Sequence, residues 1–313
     1  MLSRVADSLY WMSRYFERAD HCARVLEANH NLMLNPSKSA IEERWHRITE
    51  NLGLGPESNA LEPQAAMLEL MTDPGNRSSI VSCITGAREN ASQVREQISS
   101  EMWERLNQLY HEITQMALQF RHSSDFGVQP IFSTMREGAY KFYGVTAATI
   151  SHGEAWHFIQ LGKYMERASA LPSFLDAIFS NPNSLDDLDW VGVLSSCSAF
   201  EAYCKVYTAD MRPDHVAEFL LLNPEFPQTV RYSAEMMQNS LRHIARPSSD
   251  TNYHRVERIV GRLCSSLAYA QIEDLITRDF PKTLASIVEQ CEALHTAMHE
   301  TYIDYPVQTA FEA

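Results

Sequence analysis

Apolar positions in the first thirty residues recur at helical spacing. Leu9, Met12, Phe16, Ala19, Ala23 and Leu26 are separated by 3, 4, 3, 4 and 3 residues. That rhythm lays a narrow apolar seam along one side of a helix and predicts a helix over 2–32. It returns 149 residues later in Phe158, Leu161, Met165, Ala168, Pro172 and Leu175, predicting a second long helix from about 152. Pro172 falls inside that seam, so a kink or an end is expected near it. The pattern also predicts a helix from a cap at Ser37 or Ser39 to about Leu52. Further helices are expected over about 62–72, 76–97, 101–122, 129–150 and 186–208. A short one follows Arg212-Pro213, and others span about 227–245, 251–277 and 281–303. Ser78 or Ser79 caps the helix that follows Asp73-Pro74-Gly75. Asn181-Pro182-Asn183-Ser184 is the best halfway boundary, and the tail after Pro306 should be loosely held. No stretch alternates apolar and polar residues with a β-branched bias, so almost no sheet is expected. The fold class is therefore all-α, a multi-helix bundle. We expect a single domain over 1–313, divisible into repeat halves of about 1–150 and 151–305.

The polar positions beside the two seams repeat as well. Ser13-Arg14-Tyr15-Phe16-Glu17-Arg18-Ala19 is matched by Gly162-Lys163-Tyr164-Met165-Glu166-Arg167-Ala168 at the same offset. This predicts two copies of one structural unit about a pseudo-two-fold axis. The copies differ in detail: Lys163 stands where the first has Arg14, Glu154 stands for Val5, and Ala170 for His21. Adjacent residues on a helix point about 100° apart, so Glu17 and Arg18 cannot easily satisfy each other. Glu17 can reach Arg14 or His21 one turn away. Antiparallel or two-fold packing would instead bring Glu17 toward Arg167 and Glu166 toward Arg18. The candidate polar site is Arg14, Glu17, Arg18, Lys163, Glu166 and Arg167, with Tyr10 and His21 beside it. A second cluster holds Arg88, Glu89, Arg95, Glu96 and Glu101; Arg88/Arg95 and Glu89/Glu96 are seven apart and share a face. One reading of the Glu-Arg centre is a buried ion-pair network that fixes helix packing. The other is a pocket in which Arg18 and Arg167 fork onto a carboxylate or phosphate.

Charge and chemistry narrow the function. A net charge of −14 argues against a nucleic-acid partner, since nothing would offset phosphate repulsion. Cys22, Cys83, Cys197, Cys204, Cys264 and Cys291 form no CxxC pair, which suits buried thiols in a reducing cytoplasm. Asp7, Arg14, Glu17 and Arg18 interrupt any apolar leader, and no run of 18 apolar residues exists; neither a signal peptide nor a membrane span is expected. Glu-x-x-His spacing occurs at Glu27/His30, Glu43/His46, Glu154/His157 and Glu292/His295. Bridging glutamates on separate helices cannot be picked out to match, so no metal is expected. Gly-rich phosphate loops, nucleophile elbows and dinucleotide fingerprints are absent; the chain should not bind ATP alone, and no cofactor is expected.

Residues 4–19 (RVADSLYWMSRYFERA), 86–91 (GARENA), 94–103 (VREQISSEMW), 196–203 (SCSAFEAY) and 220–227 (LLLNPEFP) resemble the alpha-E family. The resemblance covers almost the whole chain. It implies an all-helical bacterial protein with a Glu-Arg signature. The family's genes neighbour, or fuse with, a circularly permuted ATP-grasp ligase, and a transglutaminase-like peptidase often lies nearby. The resemblance thus implies a non-ATP-binding component of a peptide- or amide-bond-forming system, which binds the ligase, its peptide product or an acidic substrate. The alternatives are an enzyme using the Glu-Arg centre for acid–base or acyl-transfer chemistry, and a purely structural scaffold.

Overall fold

The first seam folds as α1, Ser3–Leu32, about 45 Å long at 1.5 Å per residue. Its six seam residues are all buried. So are Glu17, Asp20, Arg24, Glu27 and Asn29, so other helices surround α1 on most sides rather than along one stripe. The second seam folds as α6, Glu154–Phe179, also buried around most of its circumference. The computed structural model describes residues 1–32, 45–49, 52, 54, 62–122, 127–180, 185–244 and 250–303, with no strand among them. The expected boundary at 181–184, most of the second helix and the tail after Pro306 lie outside the described residues.

Around these two helices stand α2 (Pro63–Thr72), α3 (Ile80–Gln93), α4 (Ser100–His122) and α5 (Gln129–Thr149). Then come α7 (Asp187–Ser196), α8 (Phe200–Tyr207), α9 (Pro213–Leu222), α10 (Val230–His243), α11 (Asp250–Ala268) and α12 (Ile272–Tyr302). α1 packs against α3, α5, α6 and α7, while α6 packs against α10 and α12 as well as α1. One continuous apolar core runs through all of these elements. Contacts between α1 and α6 climb both helices together. The Met1 amino group bonds Glu154, the Tyr10 carbonyl lies beside Gly162, and Arg14 reaches Glu166. The two central helices therefore run in the same direction, not antiparallel. A Cβ on Gly162 would sit 2.2 Å from the Tyr10 carbonyl oxygen, so only glycine permits this approach.

Five boundaries differ from expectation. α6 does not end at Pro172 but continues to Phe179, because packing from α1, α10 and α12 holds its turns around the missing donor. The single helix expected over 186–208 is split in two. Ser198 N bonds Ser195 O and Ala199 N bonds Leu194 O, a Schellman ending with Ser198 at φ 50 in the position that usually takes glycine. Near the C-terminus the break falls at 269–271, and Asp279 and Pro281 kink α12 internally. α3 ends at Gln93 rather than 97, and α10 begins at Val230 under a Thr229 cap rather than at Pro227.

Candidate functional site

α1 and α6 bring both Glu-Arg pairs to one level of the bundle, and the pairs exchange partners. Arg167 Nε bonds Glu17 Oε1, and its Nη2 lies 3.1 Å from Glu17 Oε2. In the other direction, Arg18 Nε and Nη2 grip Glu166 at 2.6 and 3.0 Å. Arg14 Nε adds a third bond to Glu166 at 2.8 Å, and the Tyr143 hydroxyl from α5 donates to Glu17. Glu17 therefore spans to the neighbouring helix and pairs with neither Arg14 nor His21. Each carboxylate is buried and each is bound through both oxygens, which is the condition under which a buried ion pair is tolerated.

The electrostatics follow from this geometry. Burial alone would raise the Glu17 carboxyl; the Arg167 guanidinium, helped by Lys163 and the Tyr143 hydroxyl, more than offsets it and holds it at about 2. Burial opposes ionisation of Glu166 too, but Arg14 and Arg18 bring it below the usual carboxylate range. One turn further along α1, Arg24 grips Asp20 at 2.7 and 3.1 Å and donates to Ser198 Oγ at 2.8 Å. Burial nevertheless raises Asp20. His21 is pushed down to about 4 by burial, so it is neutral at pH 7, and its Nε2 is buried without a hydrogen-bond partner among the described residues. A cavity of about 20 Å³ opens beside it, lined by Glu17, His21, Arg24, Glu166, Arg167 and Gln228 among others. That volume holds about one water molecule.

Lys163 and Arg14, which hold the same place in the two matched segments, differ in their partners. Arg14, its counterpart, is tied to Glu166; Lys163 reaches no carboxylate among the described residues. Its Nζ lies 4.1 Å from the Tyr143 ring centroid and 5.3 Å from that of Tyr164. Burial and the nearby Arg167 lower its ammonium to about 8, against the pull of Glu17.

The secondary candidates divide. Tyr10 bonds His295 Nδ1 at 2.8 Å and accepts from Arg14 Nη1 at 3.4 Å, extending the network to α12. His295 is lowered to about 4 by burial and by Arg14. Arg88 instead turns to α4, donating to Asn107 at 2.7 Å and stacking over Trp103 and Tyr110. Arg95 stacks on the same Trp103. Glu89, Glu96 and Glu101 are exposed, as solvated helix faces usually are. The sequence reading missed Tyr143, Asp20, Gln228 and His295 as members of the site. The i,i+4 spacing of Asp20 and Arg24 was a readable signal; for Tyr143 and Gln228, which arrive from other elements, there was none.

Of the Glu-x-x-His pairs, Glu27 is bound by Arg136 and Gln129, and no three potential metal ligands converge among the described residues. All six cysteines are free thiols. Burial pushes Cys83, Cys197 and Cys291 up to about 12 and Cys264 to about 11, which leaves them poor nucleophiles at neutral pH. No helix among the described residues is long and apolar enough to cross a membrane.

The Alpha-E family, described as a predicted alpha-helical domain with a conserved ER motif, matches residues 1–303. Uncharacterised proteins of Mycobacterium tuberculosis (strain ATCC 25618 / H37Rv) and Mycobacterium bovis are each 21% identical over 318 residues. The match takes in 95% of this chain but 36% of either relative, so the chain spans about a third of their length. No solved structure matches. The family's match runs almost end to end and takes in both Glu-Arg pairs of the α1–α6 crossing, and the chain belongs to the Alpha-E family.

Proposed function

We propose that this chain is a non-ATP-binding helical component of an ATP-grasp-dependent peptide- or amide-bond-forming system, and that its Glu-Arg centre is the lock that sets its shape. The observation carrying the second part is the reciprocal saturation of Glu17 and Glu166. With Arg167, Tyr143, Arg14 and Arg18 on their oxygens and room beside them for about one water, neither carboxylate is free to act as general base on a substrate. The first part follows the family's implied association with a circularly permuted ATP-grasp ligase and a transglutaminase-like peptidase. It is supported by the length of the mycobacterial relatives, in which a unit of this size accompanies about twice as much further chain.

The lock closes an internal duplication in this reading. α2 and α9 both open on proline and run ten residues; α3 and α10 both run fourteen. Ser79 and Thr229, 150 positions apart, each cap the longer helix and each donate a hydroxyl bond of 2.6 Å, to Asp73 O and Asn223 O. α1 lies on α3 as α6 lies on α10.

Peptide mass spectrometry tests the function. Peptides are incubated with ATP and the cognate ligase, with and without this chain. Extended product should depend on the chain. Equal product in its absence would contradict the reading.

A further inference from the structure

The Glu-Arg centre is saturated bond by bond but not balanced in charge. Arg14, Arg18, Arg24, Lys163 and Arg167 act on the carboxylates of Glu17, Asp20 and Glu166. Five cations against three carboxylates leave a surplus of two positive charges, in a chain whose net charge is −14. Unbalanced charge is costly where water is scarce. The guanidiniums also hold donors in reserve, because each carries five N–H groups. Arg167 spends three, on Glu17 and the Pro227 carbonyl. Arg24 spends three, on Asp20 and Ser198. Both line the cavity of about 20 Å³, as do Gln228 and His21. Gln228 and His21 are half-buried, and His21 Nε2 is a buried atom with no hydrogen-bond partner among the described residues. Glu17 and Glu166 line the cavity too. Their four oxygens are already held by Arg167, Tyr143, Arg14 and Arg18.

We propose that this cavity is a binding site for one monoatomic anion, chloride, held by the spare N–H groups of Arg24 and Arg167 together with the Gln228 amide and the Nε2–H of His21. Size selects the ion. The space suits about one water molecule; a halide is little larger, whereas phosphate, sulfate and carboxylates exceed it. Charge selects chloride over water. A water would satisfy His21 and leave both surplus charges in place. A chloride removes one of them and accepts charge-assisted bonds from both guanidiniums. The site does not rest on the ligase association proposed above, and a cavity that holds only water would leave the pairing of Glu17 and Glu166 intact.

The full chain is melted at pH 7 in mixtures of sodium chloride and sodium gluconate at one ionic strength, gluconate being too bulky for the cavity. The melting temperature should rise with the chloride fraction, by about 2 °C once chloride reaches about five times its dissociation constant. Equal melting temperatures throughout would overturn the proposal. Crystals grown in bromide give the position. Anomalous scattering should show one bromide between Arg24 and Arg167; water alone at that place would refute the site. Gln228→Glu supplies the negative charge covalently. That variant should melt at least as high as the parent chain in gluconate and should no longer respond to chloride. A large fall in its melting temperature, or an undiminished chloride response, would mean that the cavity does not select for negative charge, which also overturns the proposal.

Discussion

At the scale of single residues, the chemistry of the centre is set by burial working against pairing. Glu17 ionises near 2 when folded and near 4.3 when unfolded. Its folded pKa is depressed, so its stabilisation is complete above the unfolded value and is lost as pH falls from about 4.5 to 2. The loss is on the order of 3 kcal/mol. His21 obeys the same sign in a different window. Folded near 4 and unfolded near 6.5, it takes up a proton more readily in the unfolded chain, so stability declines as pH falls from about 6.5 toward 4. Urea denaturation at a series of pH values should show both declines, and His21→Asn should flatten the upper one by on the order of 2–3 kcal/mol. An unchanged profile in that variant would mean that His21 is solvated when folded. The sequence pointed to Glu17, Arg18, Glu166 and Arg167 and to an exchange of partners, but expected it from antiparallel or two-fold packing, whereas α1 and α6 run in the same direction. It could not anticipate Tyr143 or Gln228, whose roles depend on where α5 and the turn before α10 are delivered by packing.

Among the elements, the crossing of α1 and α6 is the tightest constraint. Gly162→Ala would drive a Cβ to 2.2 Å from the Tyr10 carbonyl oxygen. Backbone cannot yield as a flexible side chain does, so the substitution should destabilise by about 1–3 kcal/mol. Gly144 offers the contrast. It lies inside α5 with nothing within 4 Å of an added Cβ, so Gly144→Ala should stabilise by about 0.5–1 kcal/mol. Thermal melts of the two variants should move in opposite directions. The helices themselves were largely legible, because long amphipathic periods dominate this chain. At two of the misplaced boundaries tertiary contact accompanies the departure from local signal. Ser198 ends α7 without glycine, and Arg24 from α1 donates to its hydroxyl. Pro172 fails to end α6 because neighbouring helices enclose it.

For the whole molecule, α1 and α6 join the helices before residue 150 to those after it through one shared core. Such a core should unfold as one unit, so tryptophan fluorescence and far-ultraviolet circular dichroism should report the same urea midpoint. Two separated transitions would mean that the proposed halves are independent. The most direct measurement is a double-mutant cycle across the exchanged pair, read by urea denaturation at pH 7. Glu17→Met and Arg167→Met each strand a buried charge, and each should cost about 3–5 kcal/mol. The double variant strands neither and should be less destabilised than either single one. Singles that leave stability almost unchanged, or a double whose loss equals the sum of the two, would contradict a structural lock and return the Glu-Arg centre to the role of a ligand site.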